Sequence, residues 1–153
     1  MRNIVFGVFC MVFISCNGHV LHQQRIDIPD GEWSYDYLLE FNTPIEDSGL
    51  PLDVILDVEH SREFSYENLY LGYHIITEEG DSLFQKISIK LADKLGRWKG
   101  TCKGNECSLQ VPISTNYNFT RAGNHKIILE QYSREESLKG LKSIELTIQQ
   151  AEE

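Results

Sequence analysis

"LDVILDVE" (residues 52–59) sets Leu52, Val54, Leu56 and Val58 at every second position, with Asp53, Asp57 and Glu59 between them. Successive side chains of a strand point to opposite faces, so this stretch reads as a strand with one face buried and one in water. Its neighbours repeat the pattern. "WSYDYLLEF" places Trp33, Tyr35, Tyr37, Leu39 and Phe41 on one side, and Ser34, Asp36 and Glu40 on the other. "FQKISIKLA" alternates Ile87, Ile89 and Leu91 with Lys86, Ser88 and Lys90, and "CSLQVPI" lines up Cys107, Leu109, Val111 and Ile113. Pro112 lacks a backbone donor, which predicts an edge strand or a strand end there. "SIELTIQ" alternates Ile144, Leu146 and Ile148 with Ser143, Glu145, Thr147 and Gln149.

Two runs, "NLYLGYHII" and "HKIILEQY", are apolar on both faces and are expected in the middle of sheets. Turn residues separate the runs: Pro29-Asp30-Gly31, Asp47-Ser48-Gly49, Glu79-Gly80-Asp81 and Gly123-Asn124. The only helix-like pieces are short, at residues 91–95 and 135–141. About seven or eight strands in one domain predict an all-β fold, an antiparallel β-sandwich of jelly-roll type. No internal repeat or second domain is visible.

The chain opens with "MRNIVFGVFCMVFISCNG". Arg2 precedes an apolar run from Ile4 to Ile14, which as a helix would rise only about 16 Å against the roughly 30 Å of a bilayer core. It reads as an export signal. Ser15-Cys16 fits the end of a lipoprotein signal, whose cysteine thiol takes the lipid. A cut after Gly18 by an ordinary signal peptidase is the alternative, and a cysteine buried in a retained core helix is the blandest reading. On the first reading residues 1–15 are a signal peptide, 16–25 a lipidated tether and 26–153 the β-sandwich domain. Each buried methylene contributes about 0.8 kcal/mol, so several acyl chains on Cys16 fasten the domain to its membrane.

The formal net charge is −9, and loss of Arg2 with the signal makes it one unit more negative. That balance disfavours nucleic acid and anionic lipid faces as partners. Of the four cysteines, Cys10 leaves with the signal and Cys16 takes the lipid. The remaining pair, Cys102 and Cys107 in "CKGNEC", reads as a disulfide across a hairpin turn at Gly104-Asn105. A redox pair usually has two residues between its cysteines, and a metal site needs further ligands that the local sequence lacks.

No catalytic constellation stands out. Asp57 and Glu59 share a strand face and have the residue types of an acid–base pair. The same spacing belongs to any water-facing strand. His60, His74 and His125 are scattered, and His19 and His22 fall in the expected tether. There is no phosphate loop, nucleophile elbow or cofactor motif. The expectation is a non-enzymatic protein without cofactor or metal. Aromatic residues are numerous for a small domain and mostly suit a core. Those in "REFSYENLYL" and "GRWKG", namely Tyr66, Tyr70 and Trp98, are candidates for a protein–protein interface.

Three pieces in order, "YENLYL" (66–71), "LADKLGRWKG" (91–100) and "QYSREESLKGLKSIELTI" (131–148), together with Cys16, resemble the GldH gliding-motility-associated lipoproteins. Ser133 stands where that family commonly has methionine, and Glu145 where it often has glycine. The resemblance implies an outer-membrane lipoprotein, anchored through Cys16 on the periplasmic or cell-surface face. It further implies contact with envelope proteins of the motility and secretion machinery, and supplies no catalytic residues. In the same lineage Asp-Ser followed by an apolar residue marks O-glycosylation, and "DSL" at residues 81–83 makes Ser82 a candidate beside the plainer reading of a turn. A tethered glycan- or small-ligand-binding sandwich is the competing function.

Overall fold

The computed structural model describes residues 19–152. Eleven strands follow one another through them: β1 (Val20–Asp27), β2 (Glu32–Ser34), β3 (Leu39–Ile45), β4 (Leu52–Ser61), β5 (Asn68–Ile76), β6 (Ser82–Lys90), β7 (Thr101–Lys103), β8 (Glu106–Tyr117), β9 (Gly123–Gln131), β10 (Ser137–Lys139) and β11 (Leu141–Gln150). The long strands build two antiparallel sheets, ordered β1-β11-β4-β8-β7 and β3-β9-β5-β6, while β2 and β10 pair as a small clip. The sheets pack face to face as a sandwich, the all-β architecture the alternation predicts.

The opening alternation is realised in β4, where Leu52, Val54, Leu56 and Val58 are fully buried. They share one core with Leu69, Leu71, Tyr73 and Ile75 of β5 and Ile144, Leu146 and Ile148 of β11. Both doubly apolar runs lie where expected, since β5 and β9 each have a strand on either side. Pro112 also sits at an edge. It faces Ile55 of β4, and β7 covers β8 only from Glu106 to Ser108 on the other side.

Four local expectations are corrected. Strands number eleven rather than seven or eight, because the three-residue β2, β7 and β10 add to the longer ones. "WSYDYLLEF" is not one strand. β2 ends at Ser34, the Tyr37 N–H turns back to the Ser34 carbonyl at 3.2 Å, and the Trp33 indole N–H donates to the Tyr37 carbonyl at 2.7 Å. Tyr35 and Tyr37 are thereby turned out of the core. Neither short helix-like piece is helical: residues 91–95 form a bridge and turn, and residues 135–141 run into β10 and β11. Finally, the sheet begins before residue 26. β1 starts at Val20 and pairs with β11 from Val20↔Gln149 to Asp27↔Ser143, so residues 20–25 belong to the domain. The signal and Cys16 lie outside the described residues.

Candidate interaction surface

The three stretches that carry the family resemblance, far apart in sequence, meet at one end of the sandwich. Backbone N–H groups of Leu91 and Ala92 both donate to the Glu67 carbonyl, at 2.8 and 3.2 Å, and the Tyr132 N–H donates to the Tyr70 carbonyl at 2.8 Å. In the second stretch the Asp93 carboxylate accepts from the Leu95 N–H at 2.8 Å, the Arg97 N–H at 3.0 Å and the Arg97 Nε–H at 2.7 Å. These bonds, the Arg97 N–H first, hold the Asp93 carboxyl below its ordinary value. Gly100 follows at φ +76°, where a Cβ would overlap the Ser108 carbonyl of β8. In the third stretch the buried Gln131 amide donates to the Glu135 carbonyl at 2.9 Å and accepts from the Ser133 hydroxyl at 2.6 Å. The 133–136 loop is thus tied to the end of β9.

The first and third of these stretches line a groove of about 470 Å³, with Tyr66, Asn68, Tyr70, Tyr132, Arg134 and Leu138 among its walls. Tyr66, Tyr70 and Tyr132 are 38%, 48% and 44% exposed. The aromatic surface continues along the outer face of the β5–β6 pair. Phe84 lies 6.4 Å from Tyr132 and 4.6 Å from His74, centroid to centroid. Lys86 Nζ sits 4.2 Å from the Tyr132 ring centroid, a cation–π contact. Beneath, His74 Nε2 is 3.1 Å from Glu130 Oε1. Glu130 leans across Gly72, where an added methyl would collide with its side chain. These exposed aromatics are contiguous on one sheet face, which makes the surface a candidate for partner contact.

Sequence reasoning placed Tyr66 and Tyr70 on this surface. It missed Tyr132, Phe84, His74 and Arg134. Trp98 lies outside the groove lining: its ring is half-buried against the core, 4.6 Å from His60 edge-on and 6.5 Å from Phe64. Phe64 in turn lies 5.6 Å from Tyr66 of the groove. Asp57 and Glu59 are engaged with neighbouring strands. Asp57 accepts from the Ser108 hydroxyl at 2.6 Å, and Glu59 accepts from the Ser143 hydroxyl at 2.9 Å and pairs with Arg25. Ser82 is exposed at the start of β6. Cys102 and Cys107 face each other across the β7–β8 hairpin and form a disulfide, with Cα atoms 4.0 Å apart. Among the described residues no three His, Cys, Asp or Glu side chains converge as a metal site. A second cleft, at the opposite end, is lined by Glu78, Glu79, Asp81, Arg121 and His125. Its rim is occupied by the Arg121–Glu79 ion pair.

The model of the GldH lipoprotein family matches residues 20–148. A gliding motility lipoprotein GldH homolog of Christiangramia forsetii is 23% identical over 146 residues, covering 92% of this chain and 89% of the relative. Among solved structures, that of the infectious bursal disease virus Gx strain is similar at a TM-score of 0.30 and 15% identity. It covers 96% of this chain and 36% of the viral one, too weak a likeness to bear on fold or function.

Proposed function

We propose that this chain, which belongs to the GldH lipoprotein family, is a non-enzymatic outer-membrane lipoprotein. It is anchored through Cys16 and engages an envelope protein of the gliding-motility machinery with the aromatic end of its sandwich. One observation carries the reading: the first and third family-like stretches line the groove of Tyr66, Tyr70 and Tyr132, and the second is bonded to the first through the Glu67 carbonyl. Aromatic side chains supply large contact area at low conformational cost, which suits them to interface centres. Engagement of Asp57 and Glu59 by neighbouring strands supports the non-enzymatic part.

Two measurements on intact cells test it. Labelled fatty acid is expected on the native protein and absent from Cys16→Ala. Photo-crosslinking from a probe placed at Asn68 is expected to capture a partner of the motility machinery, with the yield collapsing in Tyr70→Ala/Tyr132→Ala. Unlabelled native protein, or a crosslink indifferent to those tyrosines, overturns the corresponding half.

A second reading has an observation of its own. The groove volume is in the range of small-ligand sites, and Asn68, Arg134 and Glu135 set polar groups beside the tyrosines. Saccharide binding by the purified lipoprotein, lost in Tyr70→Ala, would favour a glycan or small ligand as occupant.

A further inference from the structure

The sandwich does not close equally at its two sides. On the β1/β3 side the sheets are linked, with the Asn42 N–H donating to Gln24 Oε1 at 3.1 Å. β3 carries Pro44, and the β1 register shifts between Val20 and His22. On the other side, β8 beyond β7 is blunted by Pro112 and by register shifts against β4. Such devices are how natural sheets prevent edge pairing. β6 has neither a proline nor a register shift, and its only charges are Lys86 and Lys90. Its nine residues pair with β5 in unbroken register, Asn68↔Lys90 to Ile76↔Ser82, and among the described residues no strand pairs with its other side.

The core is incompletely covered along this seam. β6 residues opposite buried β5 side chains form its inner row. Ile89 is buried, Ile87 is half-buried, and Gln85 and Leu83 are exposed, Leu83 to 40%. Across the seam Leu109, Val111 and Ile113 of β8 are likewise only partly buried, packed against the core from one side. The row is covered at its Ile89 end, beside the start of the 91–100 segment, and open beyond it. Neither β6 nor residues 110–117 of β8 contain a carboxylate, although the chain carries a net charge of −9. The outer row of β6 instead presents Lys86 and Lys90 beside Phe84.

We infer that β6 is a strand-acceptor edge that takes up an extended partner segment alternating apolar with acidic residues. The inference rests on the contact function proposed above and names the form of the partner. Main-chain groups of β6 supply the pairing. The apolar side chains of the incoming strand cover Leu83, Ile87 and Val111, and its carboxylates meet Lys86 and Lys90. A second copy is disfavoured, because β6 against β6 brings together lysines with no carboxylate in either strand to receive them.

The test uses the full-length lipoprotein in detergent and two synthetic nonapeptides, one alternating valine with glutamate and one alternating valine with lysine. Anisotropy titration is expected to show at least about tenfold tighter binding of the glutamate peptide, and Lys86→Glu/Lys90→Glu is expected to invert that order. Hydrogen exchange should show new protection of β6 amides by the glutamate peptide. Equal binding of both peptides, binding without β6 protection, or β6 protection that tracks protein concentration alone overturns the inference. If the peptides fail while the cellular crosslink still depends on Tyr70 and Tyr132, strand uptake falls and the groove contact stands.

Discussion

The Tyr132 N–H donates to the Tyr70 carbonyl at 2.8 Å, joining the end of β9 to β5 just where both side chains leave the sheet. That one bond sets two exposed rings along the same groove. Because both residues are exposed and lie outside the buried core, Tyr70→Ala/Tyr132→Ala should change folding stability by no more than about 0.5 kcal/mol per site. Partner crosslinking should fall severalfold. Urea unfolding and crosslink yield on the same variant separate the two effects.

Trp98→Ala should behave oppositely. The indole packs against His60 and Phe64, so its loss leaves a void there and costs about 2–4 kcal/mol. A drop in the urea midpoint confirms the packing role; an unchanged midpoint with lost partner binding would restore Trp98 to the interface.

His60 gives the fold a defined pH dependence. It is buried, its Nδ1–H donates to the Ser61 carbonyl at 2.9 Å, and burial holds its pKa below the ordinary 6.5. The native state therefore resists a proton that the unfolded chain accepts. This contribution is complete above about pH 6.5 and is lost as pH falls toward the lowered native value, by at most about 1.4 kcal/mol per pH unit. Urea midpoints between pH 7.5 and 5 should show the decline, and His60→Gln should flatten it.

The Cys102–Cys107 disulfide closes a small loop. In the chain-entropy model its removal by Cys102→Ser/Cys107→Ser should cost about 2 kcal/mol. Mass analysis of the alkylated, unreduced protein should find neither thiol free.

If Cys16 carries the anchor as proposed, the start of β1 at Val20 limits the link to at most about 14 Å. Strands near nine residues long place the groove roughly 30 Å from that end. On vesicles carrying gadolinium-chelating lipid, the anchored protein should show strong relaxation of loop amides at 46–51 and 77–81, and weak relaxation at 133–136. A ten-residue flexible insertion after Gly18 should erase the difference.

The sequence by itself determined the two-layer β architecture, the central positions of β5 and β9, the edge at Pro112 and the hairpin pairing of Cys102 with Cys107. Each follows from a local rule, alternation at period two or a turn between close cysteines, that acts over a few residues. Tyr66 and Tyr70 were legible as surface aromatics for the same reason. Only the tertiary structure decided that Tyr132 is exposed beside them, that Trp98 turns to His60, that residues 20–25 join a sheet and that β6 is the edge strand of its sheet among the described residues. Those outcomes depend on which strands become neighbours across long separations, as β1 does with β11. A pairing of that kind is fixed by how both sheets bury their apolar faces together, which no single stretch contains.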